Sequence, residues 1–146
     1  MALPSIEVQC GDCPSLEQFL AARIYEYNAT ATGYFDGEAF GATHKDPSGA
    51  IVAGIAGYTW GGCCFVSYLW VADGIRRSGL GRALLMAAED HAISKGCSIA
   101  LLSSHSFQAP RFYERLGYEE RAVIEDHPPG HSNVFYAKRL ASNAMP

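Results

Sequence analysis

Residues 76 to 83 read Arg76-Arg77-Ser78-Gly79-Leu80-Gly81-Arg82-Ala83. An apolar, aromatic run over residues 65–71 precedes this stretch, and a run with helical periodicity over about 80–95 follows it. This order predicts a strand that ends in a short basic turn and opens directly into a helix. The first N–H groups of such a helix lack intrahelical acceptors and favour an anion. Because glycines let the backbone approach a ligand and arginines add positive charge, we predict a pyrophosphate-binding turn here.

The composition predicts one compact domain over residues 1–146. Apolar residues make up 49% of the chain and charged residues 18%, which is typical of a globular protein. The formal net charge of −4 argues against general nucleic-acid binding. We find no apolar run of membrane-spanning length and no signal-peptide pattern, and the five cysteines are an odd number. We therefore expect a cytoplasmic protein with reduced thiols that binds neither nucleic acid nor membrane.

Periodicity predicts ten elements in the order β-α-β-β-β-α-β-α-β-β. The first strand is expected at 6–10, and the first helix at 15–28, with Ser15 and Gln18 as its capping box. The later helices are expected at about 80–95 and around Pro110, the second capped by Ser106 or a neighbour. The remaining strands are expected at 40–44, 51–60, 63–71, 98–103, 118–125 and 133–140. Successive hairpins indicate an α+β domain with a single mixed, mostly antiparallel sheet flanked by helices.

Two common nucleotide-binding motifs do not fit the glycine turn. A P-loop requires Gly-Lys-Ser/Thr, but Arg82 and Ala83 follow the second glycine. A dinucleotide fingerprint requires a third glycine at the position of Leu84, within an early βαβ unit. The turn instead fits the pattern Q/R-x-x-G-x-G/A, which Arg76, Gly79 and Gly81 fill.

A second motif lies one predicted helix and one predicted strand further on, and reads Phe112-Tyr113-Glu114-Arg115-Leu116-Gly117-Tyr118. With these two motifs in this order, the chain resembles the GNAT superfamily of acyl-CoA-dependent N-acetyltransferases. The second motif is similar to the "FYEKLGF" helix of that family. Residues 128–131, Pro-Pro-Gly-His, resemble a turn before the last strand in small bacterial members. The resemblance covers most of the chain and implies the GNAT fold.

The resemblance also implies roles for individual residues. Tyr113 would be the general acid toward the departing thiolate. Main chain at Leu69 and Val71 would pair with the pantetheine arm like an added strand, and a backbone N–H near Val71 would polarise the thioester carbonyl. Ser106 stands where the family often has an asparagine that contacts pantetheine. The CoA pyrophosphate would be held by Arg76, Arg77, Ser78, Gly79, Leu80, Gly81 and Arg82.

The implied reaction is transfer of an acetyl group from acetyl-CoA to a primary amine of a small molecule by direct attack. Two alternatives stay open, a protein or peptide N-acetyltransferase and a non-catalytic acyl-CoA-binding sensor. The general base is also open, with Asp73, Glu26, His105, Tyr68 or a water chain as candidates. We expect no metal, because Pro128 and Pro129 separate His127 from His131 and prevent a helix. A homodimer through edge strands is a further hypothesis.

Overall fold

The structure, a computed structural model, describes residues 1–140. The chain divides into two compact units, one over 1–34 and one that begins at Phe35. The helices are α1 (Pro14–Thr32), α2 (Leu80–Ser94) and α3 (Pro110–Arg115), with one 3-10 turn at Asp73–Ile75. The strands are β1 (Glu38–Lys45), β2 (Ile51–Trp60), β3 (Cys63–Val71), β4 (Ile99–His105), β5 (Glu119–Glu125) and β6 (Ser132–Arg139). Within the described part of the chain, no helix combines the length and apolar character that crossing a membrane requires.

The predicted strand at 6–10 is wrong. These residues lie outside any strand, and the side chains of Ile6 and Val8 are 82% and 88% exposed. The alternation over five residues fits a pleated strand, but a strand is stable only when neighbouring strands take up its backbone hydrogen bonds. The observed order therefore begins with a helix and is α-β-β-β-α-β-α-β-β.

The first helix also begins and ends differently from the prediction. Cys13 is its N-cap without a side-chain hydrogen bond and Pro14 occupies the first turn, so the predicted capping box at Ser15 does not form. Proline suits this position because it lacks the N–H that would be unpaired and its φ is already helical. At the other end Gly33 adopts φ 81° and donates its N–H to the carbonyl of Ala29 at 2.7 Å. This left-handed cap ends the helix four residues later than predicted.

The second unit contains one six-stranded sheet in the order β1-β2-β3-β4-β6-β5. Only the β3–β4 pair is parallel, and the other four pairs are antiparallel. This confirms the predicted α+β class with a single mixed, mostly antiparallel sheet. The hairpin at Gly61 and Gly62 and the bounds of β2 and β3 are as predicted.

One face of the sheet, here called the inner face, packs against α2. Helix α2 contributes Leu84, Leu85, Ala88 and Ala92 to the core. The strands contribute alternate residues, as the pleat requires. These are Ala53, Ile55, Cys64, Val66, Ala100, Leu102, Val134 and Tyr136. Neighbouring positions such as Tyr58, Trp70 and Phe135 belong to the opposite, outer face.

The parallel pair β3–β4 is short. It joins residues 63–65 to residues 99–101, and beyond Phe65 the described strands form no further residue pair. On its other side, β3 carries a bulge at Ser67, since Ala56 pairs with Tyr68 and Gly57 with Val66. A bulge bends its strand and increases its twist. The sheet therefore opens between β3 and β4 toward their carboxyl ends, and we call this opening the wedge.

Gly57 permits the bulge. A Cβ atom at this position would collide with the carbonyl oxygen of Phe65 and would come within 2.9 Å of the Phe40 ring. Only a residue without a side chain lets the two backbones approach so closely. The bulge, and with it the wedge, therefore requires glycine at position 57.

A partly buried ion pair links α2 to β6. The Glu89 carboxylate accepts a hydrogen bond from Lys138 Nζ at 2.7 Å and another from the Tyr118 hydroxyl at 2.9 Å. Lys138 Nζ also lies 5.5 Å from the centre of the Tyr118 ring. Burial and the adjacent Glu89 carboxylate raise the pKa of Tyr118, so its hydroxyl stays a donor.

We predict that Gly57→Ala lowers the free energy of unfolding by about 2 kcal/mol, because a rigid backbone carbonyl must move to admit the methyl group. Gly41→Ala is the matched control, since its Cβ would meet its nearest neighbour at an ordinary 3.6 Å. Urea unfolding monitored by circular dichroism measures both variants. Equal stability of the two would contradict the steric role of Gly57.

We predict that Lys138→Met costs about 3 kcal/mol at pH 7, because it leaves the Glu89 carboxylate buried without its charged partner. The double variant Lys138→Met/Glu89→Leu removes both charges and is expected to recover part of the loss. Chemical denaturation of the three proteins provides the measurement. A single variant as stable as the unmodified protein would show that Glu89 is not desolvated.

Candidate active site

The turn over residues 76–83 leads directly into α2, as the sequence predicts. Gly79 is the N-cap with φ 87°, and its carbonyl accepts the first helical hydrogen bond from the Ala83 N–H at 3.0 Å. The N–H groups of Leu80, Gly81 and Arg82 precede that bond, and no side chain caps this end of the helix. A helix start with uncapped N–H groups and a partial positive charge favours an anion, so pyrophosphate binding at this turn stays a prediction.

The sequence suggested that Arg76 and Arg77 hold a pyrophosphate, but the Arg76 side chain is already paired within the protein. Arg76 folds back onto the chain, donating from Nε to the carbonyl of Val71 at 3.1 Å and from Nη2 to Asp73 Oδ1 at 2.9 Å. Arg76 therefore joins the end of β3 to the turn. Arg77 is exposed and adopts φ 65°, a left-handed conformation that a side chain makes unfavourable. The turn needs two left-handed residues, Arg77 and Gly79, to redirect the chain from β3 into α2.

Gly81 lets the start of α2 pack closely against neighbouring side chains. A Cβ atom there would lie 3.4 Å from the Phe112 ring and 3.7 Å from a methyl group of Val71. The start of α2 thus packs on α3 and on the end of β3, which brings the two sequence motifs into contact. Ser78 and Arg82 are exposed on the same turn.

Main-chain groups of Leu69 and Val71 face the wedge. These residues pair with Ile55 and Ala53 of β2, and the Ala72 N–H donates to the Val52 carbonyl at 2.8 Å. In an antiparallel ladder this arrangement makes the pairs of Leu69 and Val71 non-hydrogen-bonded, so their own N–H and C=O groups point away from β2. They point toward the side where β4 has diverged.

Tyr113 lies on α3, immediately beside the core. Its ring packs edge-on against the rings of Phe112 and Tyr118. The centres of the Tyr113 and Tyr136 rings are 6.1 Å apart. Burial raises the pKa of the Tyr113 hydroxyl, which keeps the group protonated near neutral pH. Within residues 1–140 no group hydrogen-bonds to this hydroxyl. The site therefore holds a protonated phenol without a fixed partner.

Ser106 does not cap α3, so that prediction is wrong. Ala109 is the N-cap and makes no side-chain hydrogen bond. The Ser106 hydroxyl instead accepts from the Ser132 N–H at 3.0 Å, and the Ser106 N–H donates to the Ser132 carbonyl at 2.8 Å. These bonds tie the end of β4 to the start of β6, because the strands are neighbours in the sheet.

The structure also brings together residues that the sequence did not connect. The His105 ring stacks on Phe107 and on His127, with ring centres 5.3 and 5.1 Å apart, and His131 meets Phe107 edge-on. Asn133 lies opposite His105 in the β4–β6 pairing. The three histidines are visible in the sequence, but only the pairing of β4 with β6 places the 126–131 loop beside His105.

A mixed sheet that opens between its two parallel strands, beside an uncapped helix start, is the architecture of the acyl-CoA-dependent acetyltransferases. Residues 8–118 match the model of the Acetyltransferase (GNAT) family. The chain belongs to this family, whose members use acyl-CoA, and is an acetyltransferase. The predicted family and fold are thereby confirmed.

Three relatives illustrate the similarity. Blasticidin-S acetyltransferase of Streptomyces morookaense is 38% identical over 93 residues, which is 63% of this chain and 68% of the relative. The crystal structure of an acetyltransferase from Bacillus cereus ATCC 14579 is 34% identical with a TM-score of 0.77, and the match covers 92% of this chain and 98% of that one. A crystal structure of an acetyltransferase from Agrobacterium tumefaciens is 25% identical with a TM-score of 0.83, covering 94% and 99%.

We predict that Gly79→Ala weakens CoA binding about tenfold, because a left-handed φ costs an alanine about 1–2 kcal/mol and the helix start would shift to relieve it. Gly74→Ala is the control. Both sites are open to a methyl group, but Gly74 does not have a left-handed φ. Isothermal titration with CoA measures the affinities. A loss of the same size in both variants would contradict the argument from backbone conformation.

Proposed function

We propose that this protein, acting as one catalytic domain over residues 1–146, transfers an acetyl group from acetyl-CoA to a primary amine of a small molecule by direct attack. The observation that carries the proposal is the wedge, into which Leu69 and Val71 direct unpaired main-chain groups beside the uncapped start of α2. Backbone donors and acceptors at a strand edge suit an extended amide chain such as pantetheine. Acetyl-CoA supplies the activated acyl group as a thioester.

In this proposal, successive parts of acetyl-CoA, from the pyrophosphate to the thioester, contact successive groups around the wedge. The N–H groups of residues 77–82 would bind the pyrophosphate, with the helix start providing favourable electrostatics. The main chain of Leu69 and Val71 would bind the pantetheine arm, and the Val71 N–H would polarise the thioester carbonyl. Ser106 lies at the end of β4, across the wedge, where its hydroxyl hydrogen can still be donated to pantetheine.

Tyr113 is the general acid in this proposal. When the amine attacks and the C–S bond breaks, the departing thiolate needs a proton. The raised pKa of Tyr113 means that the phenol is protonated throughout the neutral range, and its hydroxyl has no partner among residues 1–140 to hold it elsewhere. The packing of its ring against Phe112 and Tyr118 fixes its position on the inner face of the sheet.

A small-molecule acceptor is supported by the 38% identical relative, which is named for acetylation of blasticidin-S. The net charge of −4 also favours a cationic amine over an anionic acceptor. The test is incubation of the purified protein with acetyl-CoA, a panel of amino antibiotics and amino sugars, and a panel of peptides, with release of free thiol as readout. Turnover of small amines supports the proposal, whereas turnover of peptides alone, or of neither panel despite CoA binding, overturns it.

We predict that Tyr113→Phe lowers kcat about 100-fold and leaves CoA affinity unchanged, because it removes one hydroxyl and retains the ring packing. Tyr58→Phe is the control, since Tyr58 lies on the outer face and stacks on Phe65 near the closed end of the wedge. Steady-state kinetics and CoA titration separate the two effects. Unchanged kcat would exclude Tyr113 as the acid.

A further inference from the structure

His105 is the last residue of β4, at the open end of the wedge. Ser104 before it is buried on the inner face, so the alternation of the strand places His105 on the outer face. Tyr113 packs on the inner face with Tyr136. The two residues therefore lie on opposite faces of the sheet, on either side of the opening.

Three contacts hold the His105 imidazole in one orientation. Its ring stacks at 7° on Phe107 and at 14° on His127, and its Nδ1 lies 3.0 Å from the carbonyl oxygen of His127. A carbonyl oxygen can only accept a hydrogen bond, so Nδ1 carries the proton in the neutral ring. Nε2 is then left with a lone pair, and no group among residues 1–140 hydrogen-bonds to it. This is the arrangement of an oriented base.

Asn133 provides a second, independent observation at the same place. It is directly opposite His105 across the β4–β6 ladder, and the residue is only 9% exposed. Its Oδ1 is one of two buried side-chain polar atoms in the described part of the chain that lack a hydrogen-bond partner. An unpaired buried acceptor is costly, and a donor on a bound ligand would satisfy it.

We propose that His105 and Asn133 form the subsite for the acceptor amine, in which His105 Nε2 is the general base and Asn133 Oδ1 orients the ammonium group. This inference rests on the proposed function and adds the acceptor side to it. A primary ammonium has three N–H donors, which suits two acceptors on adjacent strands. An amine protonated at neutral pH cannot attack a thioester until it loses a proton.

The proton balance is complete with residues of this chain. The ammonium gives one proton to His105 Nε2, which passes it to solvent, and the neutral amine then attacks the thioester carbonyl. The C–N bond forms and the C–S bond breaks. The thiolate takes the proton of Tyr113, and the second proton lost by the attacking nitrogen restores that phenol. The products are the amide and CoA with a free thiol.

Among the described groups that pack on the His105 ring, one is titratable. The imidazole of His127 packs on it from the 126–131 loop, and Asn133, which is neutral, faces it from β6. From its own segment come Phe107 and Gln108, whose side-chain oxygen accepts the His105 backbone N–H at 2.7 Å. A variant of His127 therefore tests whether this neighbour takes part in the proton transfer.

We expect His105→Gln to lower kcat/KM for an amine about 100-fold at pH 7, with the defect shrinking toward pH 10, where the amine is itself neutral. Asn133→Leu is expected to raise KM for the amine about tenfold while the shape of the pH profile stays as in the unmodified protein. His127→Phe retains a stacking ring and the backbone carbonyl, so the pH profile of kcat/KM should match that of the unmodified protein. His44→Gln, an exposed histidine on β1, is the matched control for the substitution.

The measurements are pH profiles of kcat/KM, CoA titration of each variant, and the tautomer of His105 from nitrogen chemical shifts in NMR spectra of the unmodified protein. Nδ1 protonated and Nε2 unprotonated in the neutral ring supports the inference, and the opposite tautomer overturns it whatever the activity. A loss in His105→Gln that is equal at all pH values overturns the base role alone. No turnover of any amine by the unmodified protein overturns the proposed function, and the base role with it.

Discussion

The geometry of this protein depends on the divergence of β3 from β4. The two strands pair over three residues and then separate, because the bulge at Ser67 bends β3 on its β2 side and Gly57 leaves space for that bulge. A fully paired sheet would satisfy the main chain of Leu69 and Val71 internally. Unpaired backbone groups near a core are unfavourable unless water or a ligand binds them. The divergence thus leaves main-chain groups of β3 unpaired, and the proposed function assigns them to the cofactor.

The elements around the wedge are joined by short-range contacts that keep its two sides in place. Arg76 binds the last carbonyl of β3, and Gly81 packs on Phe112, so the start of α2, the end of β3 and α3 are in direct contact. On the other side, Ser106 and Ser132 exchange two hydrogen bonds that hold β4 to β6. Both sides of the opening are therefore tied to their neighbours by specific contacts. Rigid positioning matters because catalysis falls steeply with small displacements of reacting groups.

The sheet separates two kinds of chemistry. On the inner face, Tyr113 lies among aromatic rings, and burial raises the pKa of its phenol. Burial and the Glu114 carboxylate raise the pKa of Tyr136 on the same face to about 12. The outer face carries the His105 stack and the unpaired Asn133 oxygen. In the reaction that we propose, Tyr113 is the acid on the inner face and His105 is the base on the outer face, with the thioester between them.

Much of the fold could be predicted from local patterns. The bounds of β2 and β3, the hairpin at Gly61 and the start of α2 at Leu80 follow from residues adjacent in sequence, since turns and helix ends are local. The strand at 6–10 was wrong because a strand needs hydrogen-bonding neighbours that its own residues do not specify. The caps at Ser15 and Ser106 failed for a related reason, since Pro14 and the partner Ser132 compete for those positions.

The sequence alone determined the family, the mixed sheet, the glycine turn and the tyrosine of α3, because each is encoded in a contiguous motif whose spacing reflects helix or strand geometry. Only the tertiary structure decided what the side chains of those motifs contact. Arg76 closes onto Val71, Gly81 makes room for Phe112, and His105 meets His127 and Asn133. These contacts join residues far apart in the chain. They depend on strand pairing, which brings together segments that no local pattern relates.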